Sequence, residues 1–227
     1  MTIANGITIL VIGVSTVLGG CMAQGPVDLN LGRIPTWLSY LSGDDVKAAC
    51  EAGGPDRIRF VYNAVWTEQV RAYDLKVTDY GAQMDEHVWG PGVLLAATAQ
   101  GPQISADKAS VGISKARLEA LEGAMAADGV DGPAPRGEFL RSDNFYWVVA
   151  RCRQGRFHFN AFQAPDARFA ALTFPRHLFD ADLTGIAINP PRPLDLPLLE
   201  SGYGHDSDQR PFTAQVSANG LDIPRFF

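Results

Sequence analysis

Phe145-Tyr146-Trp147-Val148-Val149-Ala150-Arg151-Cys152 and Arg156-Phe157-His158-Phe159-Asn160-Ala161-Phe162 are two β-rich runs joined by Arg153-Gln154-Gly155. Aromatic and β-branched residues favour the pleated backbone, and a short Gly-containing link between two such runs is the signature of a hairpin. In the second run Phe157, Phe159 and Ala161 face one way, and Arg156, His158, Asn160 and Phe162 the other. An antiparallel sheet is therefore expected, with this hairpin as its most legible part.

Working outward, Arg59–Trp66 (RFVYNAVW) and Glu68–Val77 (EQVRAYDLKV) have β-rich composition with partial alternation. Val88–Ala97 is a third apolar run, interrupted by Gly90-Pro91-Gly92. A helix is expected over SKARLEALEGAMAA, capped by Ser114, with Leu118, Leu121 and Met125 on one face and Gly129 as its stop. Residues 129–137 (GVDGPAPRG) read as a loop. A second helix is expected after Ser42 as N-cap, with Asp44 and Asp45 in its first turn. Val46, Ala49 and Cys50 form its apolar face, and Gly53-Gly54-Pro55 ends it. Trp37–Leu41 suggests one further apolar helical turn. After Pro165, Leu172–Phe174 and Leu183–Ile188 read as short strands. INPPRPLDLPLL then spends four prolines, each removing a backbone donor, and predicts an extended segment with PPII character.

The fold class expected is α+β: a mostly antiparallel sheet, two main helices and a Pro-rich extended C-terminal arm. The expected divisions are 1–20 as a signal peptide or uncleaved anchor, 21–33 as a tether, 34–188 as the globular domain, and 189–227 as the arm. The arm ends on Phe226 and Phe227, two aromatics better placed against the domain or a partner than in water.

Of the 227 residues 46% are apolar and 19% charged, a globular composition. The net charge of −6 repels phosphate backbones and supplies no polybasic patch for anionic lipid. Nucleic acid is thereby excluded as a partner class, and membrane attachment needs an anchor.

Ile7–Leu18 (ITILVIGVSTVL) is an uncharged apolar stretch followed by Gly19, Gly20 and Cys21. Its length suits a secretory signal, and Ile7–Gly20, at about 21 Å as a helix, falls short of the ~30 Å hydrocarbon core. Leu18-Gly19-Gly20-Cys21 resembles the lipobox of bacterial lipoproteins. The resemblance covers only the first two dozen residues. It implies cleavage after Gly20, a diacylglyceryl group on Cys21, and a domain held on the periplasmic side of a membrane. Two acyl chains anchor where one does not. Met22, in place of Asp, resembles outer-membrane sorting. MTIANG departs from the pattern in having no Lys or Arg, so an uncleaved N-terminal helix in the inner membrane stands as the alternative.

With Cys21 acylated, Cys50 and Cys152 remain as a pair, which in an oxidising compartment is expected to form a disulfide. The alternative is two buried thiols acting as small hydrophobes. Neither cysteine has a Cys or His at ligand spacing, so no metal is assigned.

The sequence contains no G-x-S-x-G elbow, no phosphate loop, no G-x-G-x-x-G and no H-E-x-x-H, so no catalytic residue and no cofactor is assigned. Asp85-Glu86-His87 places Glu and His side by side, which no single helix face can share. Three constellations could bind. Arg156, His158 and Asn160 could line a polar ligand face, against a solvated sheet face. His205, Asp206 and Asp208 could hold a cation, against an exposed turn. Tyr62, Trp66, Tyr146 and Trp147 could form a glycan platform, against core packing. The expected function is a membrane-anchored periplasmic accessory lipoprotein that docks, without catalysis, on a protein of the envelope. A small-ligand or glycan-binding module is the alternative, and a hydrolase with a dispersed site ranks below both.

Overall fold

In the expected hairpin, β-type residues run straight into a turn whose two residues, Gln154 and Gly155, both have positive φ (49° and 71°). That is the left-handed pair required by a twist-matched two-residue turn. The computed structural model describes residues 33–90, 107–196 and 211–222. Its elements are α1 (Arg33–Ser42), α2 (Asp44–Glu51), β1 (Arg57–Ala64), β2 (Gln69–Thr78), β3 (Gly81–Trp89) and β4 (Asp107–Ser114). These are followed by α3 (Lys115–Ala127), β5 (Phe139–Arg141), β6 (Phe145–Arg153), β7 (Arg156–Gln163), α4 (Ala167–Ala170), α5 (Phe174–Phe179), β8 (Thr213–Val216) and β9 (Leu221–Asp222).

The fold is α+β, built on a six-stranded antiparallel sheet in the order β4-β3-β2-β1-β6-β7. A smaller sheet has the order β5-β8-β9. In β1 every residue after Arg57 is buried, and in β6 every residue before Arg153. Such strands need cover on both faces. On one face Phe60, Tyr73, Met84, Trp147 and Phe162 meet Leu118, Leu121 and Met125 of α3 and Phe174 and Leu178 of α5. On the other, Val61, Ala72, Val148 and Ala161 meet Trp37, Leu38 and Leu41 of α1 and Leu140, Ala214 and Val216 of the small sheet.

Ser114 caps α3 as expected, its Oγ accepting from the Arg117 N–H. Asp128, at the C-terminal end of α3, reaches across to α5, where its carboxylate accepts from the N–H groups of Thr173 and Phe174, both at 2.8 Å. Cys50 on α2 and Cys152 on β6 are joined by a disulfide, beside Val46 in a small apolar cluster.

Four local expectations are corrected. Ser42 is the last residue of α1 rather than a cap. Gly43, at φ 70°, turns the chain directly into α2, and the Ser42 hydroxyl instead accepts from the Leu221 N–H at 2.9 Å. Gly43 admits no side chain, since a Cβ there would lie 2.3 Å from that of Ala150. Strands β3 and β4 were not expected, because on their polar parts only one face is buried deeply. Phe174–Phe179 is a helix, its Pro175 sitting in the first turn where a missing N–H costs nothing. Leu183–Ile188 forms no strand.

The arm is corrected in part. Residues 189–196 carry no helix or strand, but they lie against the domain. The Tyr62 hydroxyl donates to the Asn189 carbonyl at 2.8 Å, and Arg192 pairs with Glu68 at 2.6 Å. Thr213–Val216 then pairs with β5, so the boundary at 188 does not divide the chain there. The prolines from which an arm is read end at Pro197, and beyond them main-chain pairing with β5 and the buried Ala214 and Val216 hold the chain to the domain. Among the described residues, no helix is long and apolar enough to cross a membrane.

Candidate functional site

The edge strand β7 carries the residues singled out as a polar face, and the structure separates them. Asn160 is fully buried. Its Nδ2 donates to the carbonyls of Gly129, Val130 and Gly132 at 3.2, 3.1 and 3.3 Å, and its Oδ1 accepts from the Ala161 N–H at 2.9 Å. The Nδ2 donors hold the 129–132 loop against the sheet and Oδ1 is taken by the strand's own main chain, so Asn160 is a staple and not a ligand. Arg156 is exposed beside the turn, and His158 is half-buried.

His158 lines a cleft of about 240 Å³ between β7, the 131–136 loop and the β8–β9 turn at Ala218-Asn219. Phe157 and Phe159 give it an apolar floor, and Arg136 a cationic rim. The loop wall is fixed from behind. Arg151, 2% exposed, pairs with Asp131 at 3.0 Å and with Glu122 of α3 at 2.6 Å. The hairpin therefore positions the floor, the sheet's helix-covered face positions the wall, and the C-terminal strands close the end. Sequence reasoning found His158 but missed Arg136 and Ala218-Asn219. The signal for Arg136 was GVDGPAPRG, a proline-rich loop, and for Ala218-Asn219 the Asn219-Gly220 turn pair.

The other charged cluster lies under α1 and α2. Arg59 pairs with Asp45 at 2.6 Å and Asp74 at 2.8 Å, and its guanidinium sits 4.0 Å over the Tyr40 ring. Burial pushes the Tyr40 phenol up to about 12. Burial would raise the Asp45 carboxyl, but hydrogen bonds and charge from Arg59 and Arg57 outweigh it and hold the group below its usual range. Each charge here has a partner, and the cluster clamps the two helices onto β1 and β2.

Tyr62, Trp66, Tyr146 and Trp147 are all core, Trp147 stacking on Tyr62 at 4.8 Å between ring centres. Glu86 is buried under the 182–184 loop, accepting from the Leu183 N–H at 2.8 Å, while its neighbour His87 points to the opposite face and stacks on Trp89. No group of three or more His, Cys, Asp or Glu suited to a metal occurs among the described residues. Cys21, His205, Asp206, Asp208, Phe226 and Phe227 lie outside the described residues. The chain matches no protein-family model, and neither a search of curated proteins nor one of solved structures gives a match.

Proposed function

We propose that this chain is an exported accessory lipoprotein, held on the periplasmic side of a bacterial membrane by a diacylglyceryl group on Cys21, that docks on a protein of the envelope. The observation that supports it most is the Cys50–Cys152 disulfide. Such a bond persists in an oxidising compartment, and it leaves Cys21, just after an uncharged apolar stretch, as the one cysteine outside the pair. Docking is favoured over catalysis because, of the buried charged residues, Arg59, Arg71, Arg151 and Asp74 are committed to ion pairs that hold the fold, and Glu86 accepts from the Leu183 N–H.

Growth with a radioactive fatty acid tests the anchor: label is expected on the wild type and lost in Cys21→Ala. Equal label on both removes the lipid. For docking, purification from detergent is expected to bring down one stoichiometric partner, lost on deletion of residues 223–227. The deletion starts there because Thr213–Asp222 belongs to the fold. A protein that always isolates alone overturns the docking reading.

A second reading, a binding module for a small ligand or glycan, is favoured by the cleft at His158 and Arg136. A thermal-shift screen with glycans tests it, and the reading falls if none raises the melting temperature.

A further inference from the structure

The outward edge of β7 is shut at one end and open at the other. With a two-residue turn at Gln154-Gly155, Arg153 and Arg156 close the hairpin as a mutually hydrogen-bonded pair. The main-chain groups of Arg156, His158, Asn160 and Phe162 then point toward β6, and those of Phe157, Phe159 and Ala161 point away from it. The phase continues to Ala164, whose N–H donates to the Phe145 carbonyl at 2.9 Å. The outward N–H of Ala161 is taken by the Asn160 side chain. Among the described residues, the outward N–H and C=O groups of Phe157 and Phe159 meet no hydrogen-bond partner. These two residues form the cleft floor.

The surroundings carry a charge opposite to that of the whole molecule. Arg136, Arg153 and Arg156 are exposed and make no ion pair among the described residues. Carboxylates are also close by, with Glu51 beside Cys50 and Glu138 two residues after Arg136. Asp131 is occupied by Arg151, and Asp56 accepts from the Gln154 N–H at 2.7 Å. Three guanidiniums thus collect at one sheet edge of a chain whose net charge is −6.

A bare strand edge is a template for another strand, and proteins usually blunt one. Here Asn160 blunts it at Ala161, and on the cleft side the main chain of half-buried Phe157 and of Phe159, 3% exposed, has no partner among the described residues. The cleft's volume of about 240 Å³ falls below the roughly 300–1,000 Å³ of pockets that enclose a small molecule.

We propose that the β7 edge takes an extended, acidic segment of a partner protein as an added strand. Main-chain groups of the segment bond to Phe157 and Phe159, and its carboxylates meet Arg136, Arg153 and Arg156. Main-chain pairing supplies affinity, and the charges select the segment and speed its approach. The proposal rests on the docking reading for the source of the segment. Its test needs neither the anchor nor the partner, so either can fail while the other stands.

The test uses the full chain in detergent and a fluorescein-labelled peptide, acetyl-Glu-Val-Glu-Val-Glu-Val-amide, followed by anisotropy. Binding is expected to weaken about tenfold or more when alternate peptide nitrogens are methylated on the paired edge, which removes the strand's donors but keeps its charges. Arg136→Glu/Arg156→Glu is expected to weaken it by a similar factor with no change in melting temperature. No binding of the parent peptide overturns the proposal. So does equal binding of parent and methylated peptides in both methylation registers, which reports charge alone, or equal binding by the double variant.

Discussion

Arg71 on β2 and Asp182, 111 residues further along the chain, meet as an ion pair in which neither side chain is more than 6% exposed. The same guanidinium donates to Gln69 Oε1 at 2.9 Å, Thr184 Oγ1 at 3.2 Å and the Ala187 carbonyl at 3.0 Å, and Tyr73 donates to Asp182 at 2.7 Å. The pair fastens the strand-free stretch after α5 to the sheet. Removing the cation leaves Asp182 buried with hydrogen bonds but no counter-charge, so Arg71→Met should cost about 3–5 kcal/mol. Urea unfolding checks it, and Asp182→Asn should also destabilise, since its one carbonyl oxygen can accept either from Thr184 or from Tyr73 but not from both.

Acid should loosen the fold from two places. Burial opposes ionisation of Asp182, but hydrogen bonds from Thr184 and Tyr73 and the charge of Arg71 overcome it, as Arg59 and Arg57 do at Asp45. Both carboxyls are thus held below their unfolded values. Their contribution is present above about pH 4 and is lost as pH falls through the depressed folded values. Melting temperature measured from pH 6 down to pH 2 should drop over that range, and a flat profile would contradict the assignment.

Glu86 has the opposite sign. Burial raises its carboxyl, and its Oε1 has no hydrogen-bond partner among the described residues. The unfolded chain ionises this group first, so stability declines as pH rises through the interval between the two values. Glu86→Gln removes that penalty and can still accept from Leu183. The variant should melt higher than wild type at pH 7 and no higher at pH 3.

The disulfide closes a loop with a sequence separation of 102. In the chain-entropy model a loop of that size stabilises by about 4–5 kcal/mol. Reduction, or Cys50→Ala/Cys152→Ala, should lower the denaturant midpoint accordingly with only a small change in near-ultraviolet circular dichroism at low denaturant.

Gly43→Ala should destabilise by more than about 1 kcal/mol, because the position needs a left-handed backbone and the new methyl meets Ala150 on β6. Ser42→Ala, one residue away, should cost about 1 kcal/mol by loss of its hydrogen bond with Leu221. Parallel melting curves would order the two.

What the sequence disclosed follows from how much pattern each element needed. Aromatic runs with a Gly turn specify a hairpin locally, and Leu118, Leu121 and Met125 repeat at helical spacing over about two turns, so both were readable. Strand β4 was not, because Asp107–Ser114 mixes small and polar residues and is a strand only by pairing with β3. The cleft escaped for a related reason. His158, Arg136 and Asn219 are far apart in sequence, and Asn160 gives no sign from its neighbours that its amide turns inward to three carbonyls. The α5 helix was hidden by a length of six residues, too short to show a period.

The bond between α2 and β6 also sets an order of events. On the proposed export route the polypeptide emerges N-terminus first, so Cys50 arrives with its mate still 102 residues behind. Helix α2 waits as a loose thiol-bearing segment while β1 to β4 emerge and pair. Only when Cys152 of β6 is across can an oxidant join it to Cys50, which places thiol oxidation after β1 to β4 have emerged.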